Sequence, residues 1–371
     1  MSYENDWYAI DNIDKVDTPA LVLYPERIKE NIQLLVNSID DLHRLRPHVK
    51  THKSLEVIRL MMDAGITKFK CATIAEAELL GMAGAIDVLL AYQPVGPKAS
   101  RFAKLIKQFP STAYSCLVDN VNTAGSLSSV AAERGIAIAV YIDVNVGMNR
   151  TGIAPTGALE LIEACLTLPG IILKGLHVYD GHLRDTDLQL RKEKCDKAFE
   201  AVLELQAVVN KKFNRDLTII AGGMPTYPIH SQRKDVECSP GTFVYWDKGY
   251  SDLLTEQQYL FAALVITRVV SKPSESIICL DLGHKAIASE GHLLNRVHFL
   301  NRSNLTPIGH SEEHMVMQVE GVNDYCVGDV LYGVPFHICP TVALHQTPAI
   351  VKNKQVAEYW NTISRSRMIT V

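Results

Sequence analysis

Between residues 19 and 223, eight short β-rich apolar runs alternate with longer stretches whose apolar residues recur at helical spacing, a pattern that restricts the chain to a parallel-sheet architecture. The runs are 19–24, 45–50, 68–73, 87–93, 113–119, 136–144, 172–179 and 217–223. The amphipathic stretches are 25–39, 55–64, 75–82, 97–109, 155–168 and 185–212, and three of them open on Pro25, Pro97 and Pro155. Proline suits a first helical turn, where the amide it lacks would have no partner. Eight βα units in about 200 residues match the size of a TIM barrel. The reading is therefore α/β, with a (β/α)8 TIM barrel over 16–255; a doubly wound open sheet is the alternative.

Beyond 255 the pattern changes. Runs 260–270, 276–282, 315–319, 329–334, 349–352 and 355–360 follow one another without a long helix, which predicts a C-terminal, mostly antiparallel β domain over 256–371 that residues 1–15 could join. With 47% hydrophobic and 21% charged residues in 371, the chain can bury a core, and disordered or fibrous classes are excluded. Lys and Arg total 37 against 41 Asp and Glu, so no global basic field exists to hold a nucleic acid. The start, Met1 to Asp6, is polar and acidic where an export signal would be basic and then apolar, and no apolar run approaches the roughly 20 residues of a membrane span. A cytoplasmic protein without membrane or nucleic-acid partners is expected. The eight cysteines include no C-x-x-C pair, which in a reducing compartment reads as small buried hydrophobes.

Barrel enzymes collect their working residues where the strands end, and several chemically loaded segments fall there. Lys50 ends the second run amid Arg46, His48, His52 and Lys53. Crowded cations lower an amine's pKa toward a nucleophile or imine former, although a solvated basic loop has the same composition. Gly222-Gly223 with Thr226, and Gly241-Thr242 shortly after, suit an anion that needs close backbone N–H groups, and their place after the last run favours that over two ordinary turns. His337 and Cys339, two apart in a segment expected to be extended, would present two zinc-type ligands to one side. Taken alone, the pair reads better as a buried Cys beside a hydrogen-bonded His.

In order along residues 15–345, the chain carries Asp17-Thr18-Pro19-Ala20-Leu21-Val22, then Arg46-Pro47-His48-x-Lys50-Thr51-His52-Lys53, then Asp143-x-Asn145-x-Gly147-Met148-Asn149-Arg150-Thr151-Gly152. Gly175-Leu176-His177-x-Tyr179-Asp180-Gly181-His182, Gly222-Gly223 and His337-x-Cys339-Pro340-Thr341 complete the series. Taken together these resemble the D-threonine aldolase and D-serine dehydratase family, pyridoxal 5'-phosphate enzymes of the alanine-racemase fold type.

The resemblance implies a barrel, a β domain and a homodimer. It makes Lys50 the covalent anchor of the cofactor, places Arg150 near the cofactor's phenolic oxygen, and sets Tyr179 beside the ring and substrate. Gly222, Gly223, Thr226, Gly241 and Thr242 match the phosphate-holding loops. His337 and Cys339 match a divalent-metal pair, in which a thiolate favours zinc and leaves manganese as the second choice. His52 and His177, ahead of His182, are candidate bases for the substrate's 3-hydroxyl, and each could equally be a wall residue. The implied activity is a lyase on D-3-hydroxy amino acids, retro-aldol cleavage of D-threonine-like substrates first and dehydration to a 2-oxo acid second. A racemase using Tyr325 or Tyr332 as second base, and a non-catalytic cofactor-binding protein, are the remaining alternatives.

Overall fold

Strands β2 (Lys68–Cys71), β3 (Asp87–Leu90), β4 (Ala113–Val118), β5 (Ile138–Val144), β6 (Ile171–Val178), β7 (Thr218–Ala221) and β8 (Val236–Cys238) pair in sequence order, each parallel to the next. The computed structural model describes residues 6–371; residues 1–5 of the N-terminal segment assigned above to the β domain lie outside the described residues. These seven strands belong to one of two compact units, made of Leu35–Lys50, Ile58–Gly241 and Ser366–Val371. The other contains, among the described residues, 6–34, Thr51–Val57 and Thr242–Arg365. Along the sequence the helices are α1 (Pro25–Asn37), α2 (Leu55–Asp63), α3 (Ile74–Ala83), α4 (Pro97–Gln108), α5 (Val121–Arg134), α6 (Pro155–Thr167), α7 (Leu188–Phe213) and α8 (Tyr227–His230), followed by α9 (Lys248–Leu253) and α10 (Ile338–Leu344). None is long and apolar enough to cross a membrane.

The run at 45–50 is not a strand. It crosses from β8 to β2 through two isolated parallel bridges, Leu45 to Cys238 and His48 to Lys70, and closes the curled sheet into a barrel. Pro47 offers no N–H, so a continuous ladder cannot form, and Val49–Thr51 tightens into a 3-10 turn. Side chains supply what the backbone cannot: the buried Arg46 guanidinium grips Asp87 at 2.6 and 3.1 Å and Glu237 at 2.7 Å. Burial opposes its charge, but Asp87 and Glu237 outweigh that and hold it protonated. Inside the barrel Leu89, Leu117, Tyr141 and Ile220 form an apolar cluster.

The run at 19–24 forms β1 (Ala20–Leu23), but outside the barrel that the pattern predicts. It lies antiparallel to β9 (Ala263–Ser274) and parallel to β15 (Ala349–Lys352). Its apolar residues decide this, because Val22 and Tyr24 pack with Leu264, Ile266, Tyr332 and Val351 in the core of that sheet. The remaining strands are β10 (Ile277–Leu280), β11 (Val297–Phe299), β12 (Leu305–His310), β13 (Met315–Val319), β14 (Val330–Pro335) and β16 (Gln355–Tyr359). Their order is β12-β13-β10-β9-β1-β15-β16, with β14 pairing β9 and β11, and every contact except β1 with β15 is antiparallel.

Candidate active site

The barrel unit holds a cavity of about 450 Å³ whose lining includes Lys50, Lys70, Gln93, Arg150, Thr151, His177 and Tyr179. Lys50 is delivered by the turn after Pro47, where its N–H donates to His48 Nδ1 at 3.3 Å. Among the described residues no carboxylate pairs with Lys50 or Lys70. The loop that brings Arg150 is built by Asn145, whose Oδ1 accepts the N–H groups of Gly147 and Asn149 at 3.1 Å each. Arg150 then lies over the Tyr179 ring, 4.9 Å from its centre.

Tyr179 rests on Gly223: a Cβ there would come within 3.2 Å of the ring. The Gly222–Thr226 turn is fixed from behind. Thr226 Oγ1 donates to Asp180 Oδ1 at 2.7 Å, and His230 Nε2 donates to Asp180 Oδ2 at 2.8 Å. Burial alone would raise the Asp180 pKa, but His230 and Thr226 hold it below the usual carboxylate range. Cys195 completes a buried trio with Asp180 and His230 whose ligand atoms lie within 4.8 Å of one another. These atoms are already joined by hydrogen bonds, and the Arg233 guanidinium faces both His230 and Cys195. A cation beside the trio makes it a braced network and a poor seat for a metal ion.

A second buried network reaches the cavity wall. His177 Nδ1 donates to Asp143 Oδ1 at 2.8 Å, and Asp143 Oδ2 also accepts Gln93 and Thr151 at 2.9 and 2.8 Å. His177 Nε2 is left as an acceptor, 3.5 Å from Lys70 Nζ. Burial, with help from Lys70, keeps the imidazole pKa low despite Asp143. Burial first, and Lys50 second, bring the Lys70 amine down to about 7 against the pull of Asp143 and Asp180. Sequence reasoning missed Lys70, whose only signal is a lysine between Phe69 and Cys71 in an otherwise buried strand.

The C-terminal residues reach the same wall. The buried Glu78 carboxylate accepts the Thr370 and Val371 N–H groups at 3.0 and 3.2 Å, while Arg101 donates to the Arg367 carbonyl oxygen at 3.0 Å and to the Val371 oxygen at 2.6 Å. Arg367 thereby joins the cavity lining.

Other predicted residues belong to the β-sheet unit. His52 does not line the cavity; it is fully buried and edge-on to Tyr245, and its Nε2 has no partner among the described residues. Gly241 is buried at the end of a barrel-unit segment, and Thr242 begins a 3-10 turn of the β-sheet unit. The expected extended alternation at 337–339 is absent, because His337 is the N-cap of α10 and Cys339 lies in its first turn. The two side chains still meet in a hydrogen bond. Burial works against a protonated His337, but Cys339, Glu290 and Asp247 outweigh it and lift the imidazole to about 9. Thr51 and Thr242 hydroxyls stand 3.2 and 3.6 Å from Cys339 Sγ. Tyr332 and Tyr325 are both buried; the Tyr332 hydroxyl accepts the Ile10 N–H, and Tyr325 donates to Asn304.

A lysine-bearing mouth on a parallel βα barrel, with a glycine turn beside an aromatic wall, defines a cofactor-binding barrel of the alanine-racemase type. The chain belongs to that family: residues 24–247 match the alanine racemase N-terminal domain, and 262–351 match the serine dehydratase domain. It is 27% identical to the D-threonine aldolase of an Arthrobacter species over 96% of this chain and 94% of that one. Identity to a 3-hydroxy-D-aspartate aldolase of Paracoccus denitrificans is 26%, over 95% and 93%. The D-threonine aldolase structure from Filomicrobium marinum superposes with a TM-score of 0.86 at 25% identity, over 94% of this chain and 95% of that one.

Proposed function

We propose that this chain is a pyridoxal-phosphate-dependent lyase that cleaves D-threonine-like D-3-hydroxy amino acids to glycine and an aldehyde. The observation that carries the reading is the Lys50 amine, unpaired by any described carboxylate, in a cavity it shares with Arg150 and with Tyr179 seated on Gly223. These residues fit the cofactor, which when bound supplies an electron sink for a carbanion at Cα. Lys50 would anchor it covalently. The glycine turn would bring the backbone at Gly223 close to its phosphate; the Gly223 N–H points at Thr226 Oγ1 across 3.5 Å, the Gly222 N–H donates to the Val178 carbonyl oxygen at 2.9 Å, and Thr226 gives its own proton to Asp180. Gly241 and Thr242 keep the phosphate-loop assignment that the family motif gives them. His177, neutral and fixed by Asp143 through Nδ1, would take up a proton at Nε2 and return it. Arg150 and Tyr179 would orient the bound group, and His52, fully buried, would serve packing and leave the base role to His177.

His337 and Cys339 offer an imidazole nitrogen and a thiol sulfur, with the Glu290 carboxylate on His337, a donor set that suits zinc before manganese. A divalent ion held there would act as a Lewis acid toward a hydroxyl oxygen. The thiol at Cys339 and the dehydratase-domain match over 262–351 favour dehydration as the second reading. The working form would be a cytoplasmic homodimer.

Incubation with D-threonine and L-threonine separates these readings. Glycine with acetaldehyde from the D-enantiomer alone supports the aldolase, whereas a 2-oxo acid with ammonia supports the dehydratase. Equal turnover of the two enantiomers, or labelling by borohydride-reduced cofactor at a lysine other than Lys50, would overturn the proposal.

A further inference from the structure

We infer that Lys70 is a second carbonyl-reactive amine of the barrel cavity, a site at which a small aldehyde forms an imine independently of Lys50. Its Nζ reaches the cavity wall from β2, in a residue only 3% exposed. Among the described residues the sole hydrogen bond of that Nζ is to His177 Nε2 at 3.5 Å. Because Asp143 fixes the opposite ring nitrogen, Nε2 turns a lone pair toward the amine and can take its proton. An imidazole backed by a carboxylate activates nucleophiles in this way.

Burial, more than the surrounding charges, favours a neutral amine, against the pull of the Tyr179 ring face 5.6 Å away. Lys50 and Arg46 disfavour a further ammonium, while Asp143 and Asp180 favour one, and burial tips the balance so that the amine titrates near 7. A large share is then nucleophilic at neutral pH, as for desolvated lysines beside a second cation. In the step itself the amine nitrogen attacks the carbonyl carbon. A C=N bond replaces C=O, and the oxygen departs as water with the two amine protons, one of them relayed by His177. No oxidant or reductant is required. Small aldehydes are the ligand class, and they include the aldehyde released by the activity proposed above; that identity rests on the proposed function, whereas the reactivity does not.

The test treats the cofactor-loaded protein with acetaldehyde and sodium cyanoborohydride, which reduces an imine to an N-ethyl lysine, and maps the label by peptide mass spectrometry. Lys70 should be ethylated about tenfold faster than exposed Lys98 and Lys192, with a rate that rises through about pH 7 in place of the ordinary lysine range near 10. A Lys50→Ala protein should still label at Lys70, and His177→Asn should slow that label several-fold. Label confined to exposed lysines, or placed on Lys50 with Lys70 untouched, overturns the inference. Failure of the cofactor reading shows elsewhere, as absence of a borohydride-fixed pyridoxyl group on Lys50.

Discussion

Thr226 gives its hydroxyl proton to Asp180 across 2.7 Å, so the carboxylate, itself buried, pins the glycine turn from behind. Asn in place of Asp180 keeps the shape but offers one carbonyl oxygen to two donors, Thr226 and His230. Asp180→Asn should cost about 1–3 kcal/mol of stability in urea unfolding. It should also raise the Kd for pyridoxal phosphate about tenfold, read by fluorescence titration. Unchanged cofactor affinity would separate this network from the phosphate turn.

His52 ties stability to pH. Burial chiefly, with Lys53, lowers its pKa from the ordinary 6.5 to about 3, so the unfolded chain takes up a proton that the fold refuses. Its contribution is complete above about pH 6.5 and declines as pH falls, by about 2 kcal/mol at pH 5. His177, shifted the same way, adds to the slope. Urea midpoints at pH 7 and pH 5 measure it, and His52→Phe should flatten the difference; equal slopes in both proteins would clear His52 of this role.

A chelator should stop turnover without bleaching the cofactor, and His337→Ala or Cys339→Ala should reproduce that loss. The pair sits in the β-sheet unit, whereas Lys50 belongs to the barrel unit. Zinc or manganese should restore the wild type, and Cys339→Asp should shift the preference toward manganese. Full activity in protein shown to be metal-free would sink the metal assignment.

Removing Arg46 leaves Glu237 to Lys68 alone and takes from the part-exposed Asp87 its guanidinium partner at the barrel closure. Arg46→Met should cost about 1.5–3 kcal/mol in chemical unfolding, the worth of the charge-assisted hydrogen bond that the buried Glu237 loses. A loss below about 1 kcal/mol would place the closure in the backbone bridges alone.

Strands β2, β3, β5 and β6 were legible because each apolar run leads into a helical stretch, and β4 and β7 from the apolar run alone, since the spacing marks no helix at Val121–Arg134 or Tyr227–His230. The three residues of β8, Val236–Cys238, carry too little pattern to be seen beside Arg233, Lys234 and Asp235. Residues 19–24 read correctly as a strand, yet propensity does not name a strand's neighbours, and Val22 found its partners in Leu264 and Ala349. Motif spacing marked Lys50, Arg150, Tyr179 and Gly223 as candidates. It could not show Lys70 meeting His177, since that contact joins β2 to β6 across 107 residues.

The hold of Glu78 on Thr370 spans 292 residues, and through it Arg367 becomes part of a wall otherwise made by the barrel. An elongating chain thus has every barrel strand available long before the wall is finished. Cofactor offered to a fragment ending at 365 would meet a mouth open on one side, and its release should be faster there than from the longer chain.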